Sequence, residues 1–459
     1  TLFRSGNVMS GQVRDMTKGS PGRLIILFAI PLMLGNICQQ LYTMVDTIVV
    51  GQIAGVQALA ALGAVEWITW MVLGVSTGAT QGFSILISQH YGAKKEDFLK
   101  QSVARSYVLT AVISVVLLTV SQIFARGILV FLNTPSDIIG MSLIYLRIVF
   151  CGIPAVAAYN VFASVLRAVG NSRTPLTAMI IAASVNVILD LLFVAGFHWG
   201  VAGAAIATVT AQLFSAVYCF LVVRKIKLLH ISRQDLQRRP GLDQKLLKLG
   251  TPVVFQNTII AIGGLVVQYV VNGYGFLFVA GFTATNKLYG ILEMAAISYG
   301  YAIVTYVGQN LGAGEIGRIK KGVRSSTLLA FLTSALISCV MFIFGKQLLS
   351  MFISGDPSQA GQVLDIAWKY LFIMACCLCI LYFLHVYRSA LQGLGNTFIP
   401  MLSGVVEFVV RVGVAVFLPF IMGTDGIFYA EIAAWTGAAV LLIISYFSSI
   451  KKYSLAGKD

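Results

Sequence analysis

Twelve long apolar stretches follow one another along the 459-residue chain, at roughly 24–50, 56–88, 102–125, 138–163, 174–197, 201–223, 246–272, 276–308, 323–345, 363–387, 398–421 and 427–450. Each is about 20 residues or longer, enough for a helix to cross the roughly 30 Å hydrocarbon layer of a bilayer. In lipid a spanning segment must satisfy its own backbone polar groups, so such a chain is expected to be an all-α polytopic membrane protein. Composition agrees: 58% of the residues are hydrophobic and 11% charged, where soluble domains carry about 25% charged residues. The period-two alternation of a membrane barrel is absent.

The first run, Leu24 to Val50, is too long for a cleaved signal and has no small-residue cleavage site, so it reads as the first span. The chain opens on Thr1 rather than Met, which leaves the completeness of its N-terminus open. Cys38, Cys151, Cys219, Cys339, Cys376, Cys377 and Cys379 fall within apolar stretches without disulfide or zinc spacing, and read as packing residues.

An even number of spans puts both chain ends on one side. The segments on that side carry Arg4, Arg14, Lys18 and Arg23, then Lys94, Lys95 and Lys100, then Arg167 and Arg173. The connector from Arg224 to Lys248, the group Arg318, Lys320, Lys321 and Arg324, and finally Lys451, Lys452 and Lys458 continue the pattern. The opposite loops hold only Arg126, Lys346 and Lys369 near their ends, so both termini are expected in the cytoplasm. The net charge of +15 thus lies between apolar runs rather than along one stripe, and nucleic acid is not an expected partner. The expected organisation is a cytoplasmic segment 1–23, an N-terminal six-helix lobe 24–223, a linker 224–245, a C-terminal six-helix lobe 246–450 and a tail 451–459.

The two lobes repeat one another. Gln89–Ala93 (QHYGA) returns as Gln309–Ala313 (QNLGA), and Pro31 returns as Pro252 at a shift of 221. Ser164, Gly170, Asn171 and Pro175 return as Ser389, Gly395, Asn396 and Pro400 at a shift of 225. Six spans per copy give both copies the same orientation, related by a pseudo-two-fold axis along the membrane normal, with a cavity expected between them.

Polar residues inside spans are functional candidates by default, because burying a charge in lipid costs several kcal/mol. Within Thr177–Phe197, Asn186 and Asp190 are four apart and share one helix face, with Met179 on the same stripe. Gln39, Tyr42 and Asp46 form a comparable face on the first span, and Thr208 and Gln212 on the sixth. If the three faces converge, they supply only oxygen ligands, which suits a hard cation such as sodium. Two carboxyl groups in one low-dielectric site suit a proton equally well. Asn186 and Thr208 also read as an interhelical hydrogen bond with no further role.

At the repeat shifts, Asn186 maps to Arg411, Asp190 to Ala415 and Asp46 to Val267, so the acid site is expected in the N-terminal half alone. Glu407 and Arg411, four apart, are expected to neutralise each other as a structural ion pair. Pro31 removes a backbone hydrogen bond early in the first span and permits bending there. Glu66, Glu293 and Glu431 have no assigned role, and Trp67, Trp70, Tyr299 and Tyr301 read either as an aromatic substrate surface or as packing and lipid-facing residues.

The run PLMLGNICQQLYTMVDTIVVG, the GA turn after the second span, the RAVGNSRTP turn and the NVILD helix together resemble the MATE family of multidrug and toxic compound extrusion transporters, in its MepA-like and DinF-like branches. The resemblance implies a V-shaped twelve-helix antiporter; a bacterial inner membrane, a monomeric state and no resident cofactor are expected with it. It implies export of cationic or amphipathic drugs against inward Na+ or H+. It matches Asp46, Asn186, Asp190 and Thr208 to the cation site, and Gln39, Tyr42, Asn160 and Met179 to the drug-cavity lining. A flippase of lipid-linked precursors shares the architecture but needs a cationic cavity, and the acids here argue against one. A membrane-embedded enzyme is disfavoured because His90, His198, His230 and His385 lie far apart in the pattern.

Overall fold

The computed structural model describes residues 13–132, 134–353 and 357–456. Arg4 and Lys458, with the outermost parts of segments 1–23 and 451–459, lie outside the described residues. Among those described the chain is helical throughout, with no strand. The first half holds α1 (Pro21–Val49), α2 (Val56–Gly92), α3 (Glu96–Phe131), α4 (Ser136–Cys151), α5 (Ile153–Ala168), α6 (Arg173–Asp190) and α7 (Gly200–Lys225). The second half holds α8 (Leu242–Asn272), α9 (Phe276–Gly312), α10 (Ile316–Ser350), α11 (Pro357–Cys376), α12 (Leu378–Gly393), α13 (Phe398–Phe417), α14 (Pro419–Met422) and α15 (Tyr429–Ala456).

Among the described residues ten helices are long and apolar enough to cross a membrane, and two bent pairs, α4 with α5 and α11 with α12, bring the spans to twelve when each pair is taken as one. The fourth span bends by 44° at Gly152 because Pro154 has no N–H to offer the Phe150 carbonyl. The tenth bends by 51° at Cys377, where φ is −111° and ψ 9°, with no proline nearby. Several helices outrun the apolar stretches that announced them. α3 starts at Glu96, where Glu96 and Asp97 complement the positive end of the helix and Lys100 pairs with Glu96 at 2.9 Å.

The repeat is preserved in backbone detail. Gly55 and Gly275 precede α2 and α9 with φ of 95° and 96°, and Gly170 and Gly395 end α5 and α12 with φ of 87° and 84°. Asn171 Oδ1 accepts from the Thr174 amide at 3.0 Å, and Asn396 Oδ1 from the Ile399 amide at 3.2 Å, so the repeated Gly-Asn pair closes one helix and caps the next in both halves.

Two compact units result: one comprises Ile30–Val254 with the N-terminal residues up to Asp15, the other Met16–Ala29 with Phe255 onward. These boundaries depart from those read off the sequence. Residues Leu242–Val254 pack in the first unit because α2 meets α8 over glycine: a Cβ on Gly82 would overlap the Gly250 backbone, and one on Gly78 would lie 3.0 Å from Val254 Cα. Leu242 and Leu246 then complete a cluster with Ala79, Phe83 and Leu86. Met16–Ala29 joins the second unit through polar anchoring of Met16. Its N–H donates to Gln309 Oε1 at 2.8 Å, and its carbonyl accepts from Asn310 Nδ2 at 3.2 Å and Arg318 Nη2 at 3.3 Å. Pro31 in α1 and Pro252 in α8 each lie within three residues of the point where their helix passes from one unit to the other. Of the cysteines, only Cys219 is fully buried, and Cys151, Cys339 and Cys376 are exposed rather than filling the interior.

Candidate cation site

The first unit brings the three polar faces together. On α1 the residues of the face, Gln39, Tyr42 and Asp46, are spaced at helical intervals; on α6 Asn186 and Asp190 are one turn apart, as are Thr208 and Gln212 on α7. Asp46 is 8% exposed, and Asn186 and Asp190 are fully buried. Asn186 Nδ2 donates to Thr208 Oγ1 at 3.4 Å, and the Thr208 hydroxyl donates in turn to the Ala204 carbonyl at 3.1 Å. Gln212 Nε2 donates to the Tyr42 hydroxyl at 3.4 Å, tying α7 to α1. The Asp46 and Asp190 carboxyl groups lie close enough to interact electrostatically, with Tyr42 and Tyr145 near them.

Asp46 Oδ1, Asn186 Oδ1 and both carboxylate oxygens of Asp190 are buried without a hydrogen-bond partner. A buried acceptor left without a donor costs about 1–3 kcal/mol, and more when charged. Four such oxygens in one place are an arrangement a cation or a proton relieves. The set fits sodium, since every donor is a hard oxygen. Among the described residues no three His, Cys, Asp or Glu side chains gather as a metal cluster.

Both carboxylates stand beside irregular turns. α1 passes after Val49 into a π-helical turn, Val50–Ala54, and α6 passes directly after Asp190 into another, Leu191–Gly196. Among the described residues these are the only π turns, and both fall in the N-terminal half. Such turns are rare and concentrate at functional sites because they loosen the regular backbone ladder.

The remaining sequence candidates divide. Gln39 is exposed on the α1 face, and Tyr42 is buried in the cluster. Asn160 is tied to α2, its Nδ2 donating to Thr77 Oγ1 at 3.0 Å. Met179 packs against α1 where Gly35 leaves room. α1 runs through Pro31 unbroken. Tyr145 on α4 was not foreseen: a tyrosine in an apolar run carries no periodic signal. Glu66, Trp67 and Trp70 are exposed, while Tyr299 is buried with its hydroxyl 2.8 Å from Thr333 Oγ1.

In the second unit the expected Glu407–Arg411 pair is the weaker part of a larger network. Arg411 Nη2 lies 3.4 Å from Glu407 Oε2 but 2.9 Å from Glu431 Oε2 on α15. Arg388 on α12 closes on Glu407 Oε1 and also donates to Ser403 Oγ at 3.0 Å. Two arginines and two glutamates therefore offset one another. Arg388 escaped the sequence reading, and Glu431 stood there without a role, because their partners lie on other helices. Glu293, without a role in the sequence, is met by His385 Nε2 at 3.3 Å.

The MatE family profile matches residues 31–192 and 252–417, two stretches offset by 221 residues at their starts and 225 at their ends. The chain belongs to the MATE family. Those offsets are the ones at which Pro31 meets Pro252 and the Gly-Asn turns coincide, so the family match follows the duplication. This MATE chain is 30% identical over 366 residues to the probable multidrug resistance protein YoeA of Bacillus subtilis, covering 77% of the chain and 79% of the relative. It is 31% identical over 356 residues to the probable multidrug resistance protein YpnP of the same organism, with coverage of 77% and 79%. Its fold matches the crystal structure of MATE in complex with MaL6 at a TM-score of 0.90 and 20% identity, over 96% of this chain and 98% of that one. The chain is accordingly a multi-pass membrane transporter of the MATE family.

Proposed function

We propose that this MATE protein exports amphipathic or cationic compounds in exchange for an inward-moving monovalent cation, Na+ or H+, bound at Asp46, Asn186, Asp190 and Thr208. The observation that carries the reading is the set of four donorless buried oxygens on Asp46, Asn186 and Asp190, with the two carboxyl groups close enough to interact. A proton shared between the two carboxyl groups, or a sodium ion taking oxygens from both helices, supplies what those atoms lack.

Occupancy removes the repulsion between Asp46 and Asp190 and so alters how α1 and α6 pack at their π turns. Pro31, fifteen residues before Asp46 on α1, supplies a point at which that helix bends. Gln39 and Tyr42 share the helix face of Asp46, so a change there reaches the residues assigned to substrate. Drug export is supported by the names of the relatives YoeA and YpnP, each a probable multidrug resistance protein.

The deciding experiment reconstitutes the protein in sealed vesicles and follows a cationic dye under an imposed pH gradient, an imposed sodium gradient, or both. Dye movement against its own gradient under one of them is expected. Movement that depends on neither removes the antiport reading.

A further inference from the structure

On the second unit, α10, α12 and α15 enclose a groove of about 760 Å3, a volume typical of small-ligand sites. Its walls are aromatic and aliphatic. Phe331 and Phe383 stack with ring centroids 6.4 Å apart, and Tyr387, Tyr446 and Phe447 form a cluster with centroids 5.4 to 6.2 Å apart. One end is basic, with Lys320 and Arg324 from the first turns of α10 and Lys451 from the last turns of α15. Lys320 Nζ donates to Ser454 Oγ at 2.9 Å, which holds its ammonium at the rim. No carboxylate is found among the described residues that line the groove.

The dimensions match one leaflet of a bilayer. Lys320 and Phe331 are eleven residues apart on one helix, about 16 Å along the axis, and half of a hydrocarbon layer is roughly 15 Å thick. The basic end therefore sits at headgroup depth when the aromatic end reaches the bilayer centre.

The duplication provides an internal control. At an offset of 220 residues Lys320 corresponds to Lys100, Arg324 to Ala104, and Ile316 to Glu96. In the first half Lys100 is neutralised by Glu96 one turn earlier, at 2.9 Å. In the second half that acid is gone and a second cation has been added. The uncompensated basic rim belongs to one copy, so it is not a by-product of the repeat.

We propose that this groove binds one anionic phospholipid, its phosphate held by Lys320, Arg324 and Lys451 and an acyl chain lying along Phe331 and Phe447. Three cations without an acid recognise net negative charge, so a zwitterionic lipid, whose choline cancels its phosphate, is held less well. Basic pockets between transmembrane helices are suited to such headgroups, and the aromatic wall gives the chain a fixed surface that bulk lipid does not.

Native mass spectrometry of the purified full chain, titrated with phosphatidylglycerol or phosphatidylcholine of identical acyl chains, tests this. The expected result is one retained phosphatidylglycerol with a preference over phosphatidylcholine of about tenfold or more. The variant Lys320→Gln/Arg324→Gln/Lys451→Gln is expected to lose that preference, and Leu328→Trp, which fills the groove and leaves the charges, to lose the retained lipid. Equal retention of both lipids by the unaltered protein, or an unchanged preference in the variants, overturns the proposal. Thermal unfolding without added lipid monitors folding, and if the triple variant does not fold, Arg324→Gln and Leu328→Trp decide the question by the same readout.

Discussion

Asn186 on α6 donates to Thr208 Oγ1 on α7 at 3.4 Å, and at the corresponding place in the second half Arg411 on α13 donates to Glu431 on α15 at 2.9 Å. The same helix pair is thus joined by a neutral bond in one copy and by an ion pair in the other. The neutral version leaves Asn186 Oδ1 beside Asp190 without a donor, while the charged version consumes its own charge. Duplication has kept the scaffold and divided the chemistry.

The Asn186–Thr208 bond fixes the Asn186 amide and leaves its buried oxygen without a donor. Replacing Thr208 by Val is expected to raise the cation concentration for half-maximal export by about 3- to 20-fold, the range that an interhelical hydrogen bond of about 0.6–1.7 kcal/mol implies. Thr208→Ser is expected to restore it. Transport measured against cation concentration checks both, and equal values for Val and wild type would remove Thr208 from the site.

Asp190 is fully buried with neither carboxylate oxygen paired, a state that favours function over stability. Asp190→Asn is expected to reduce gradient-driven export at least tenfold while leaving thermal stability in detergent unchanged or raised by about 1–3 kcal/mol. Asp46→Asn should reduce export likewise. If both single variants still drive export uphill in sealed vesicles, cation coupling at this pair is wrong.

Glu407 is the acid on which Arg388 and Arg411 both converge. Glu407→Gln strands buried positive charge, and a loss of about 3–5 kcal/mol is expected, read as a lower unfolding temperature and lower yield of folded protein. Removing Arg388 together with Glu407, as Arg388→Met/Glu407→Leu, should cost less than Glu407→Gln alone. A double variant no more stable than the single one would show that the network contributes through packing instead.

Gly82 sits where α2 and α8 come into backbone contact, and a Cβ there has no flexible side chain to displace. Gly82→Ala is expected to destabilise by more than the roughly 1–3 kcal/mol of ordinary overpacking, since a helix must move. Gly63, also on α2, has nothing within 4 Å of the position a methyl group would take, and Gly63→Ala is expected to be neutral or slightly stabilising. Comparing the two unfolding temperatures checks the contact directly.

The sequence by itself determined the number of spans, the duplication, the helices that bear Asp46 and Asp190, and the restriction of those acids to one half. These are local or periodic properties: apolar length sets a span, repeated Gly-Asn turns set the repeat, and a four-residue spacing sets a helix face. Tertiary structure alone decided which faces meet. In lipid, the outer and inner sides of a helix are equally apolar, so periodicity does not reveal what packs against what. Asp46 and Asp190 are 144 residues apart in the chain, and their meeting is a property of how α1 lies on α6. Arg388 and the pairing of Glu431 with Arg411 were hidden for the same reason, as were the α2–α8 contact that draws Leu242–Val254 into the first unit and the π turns beside the two carboxylates.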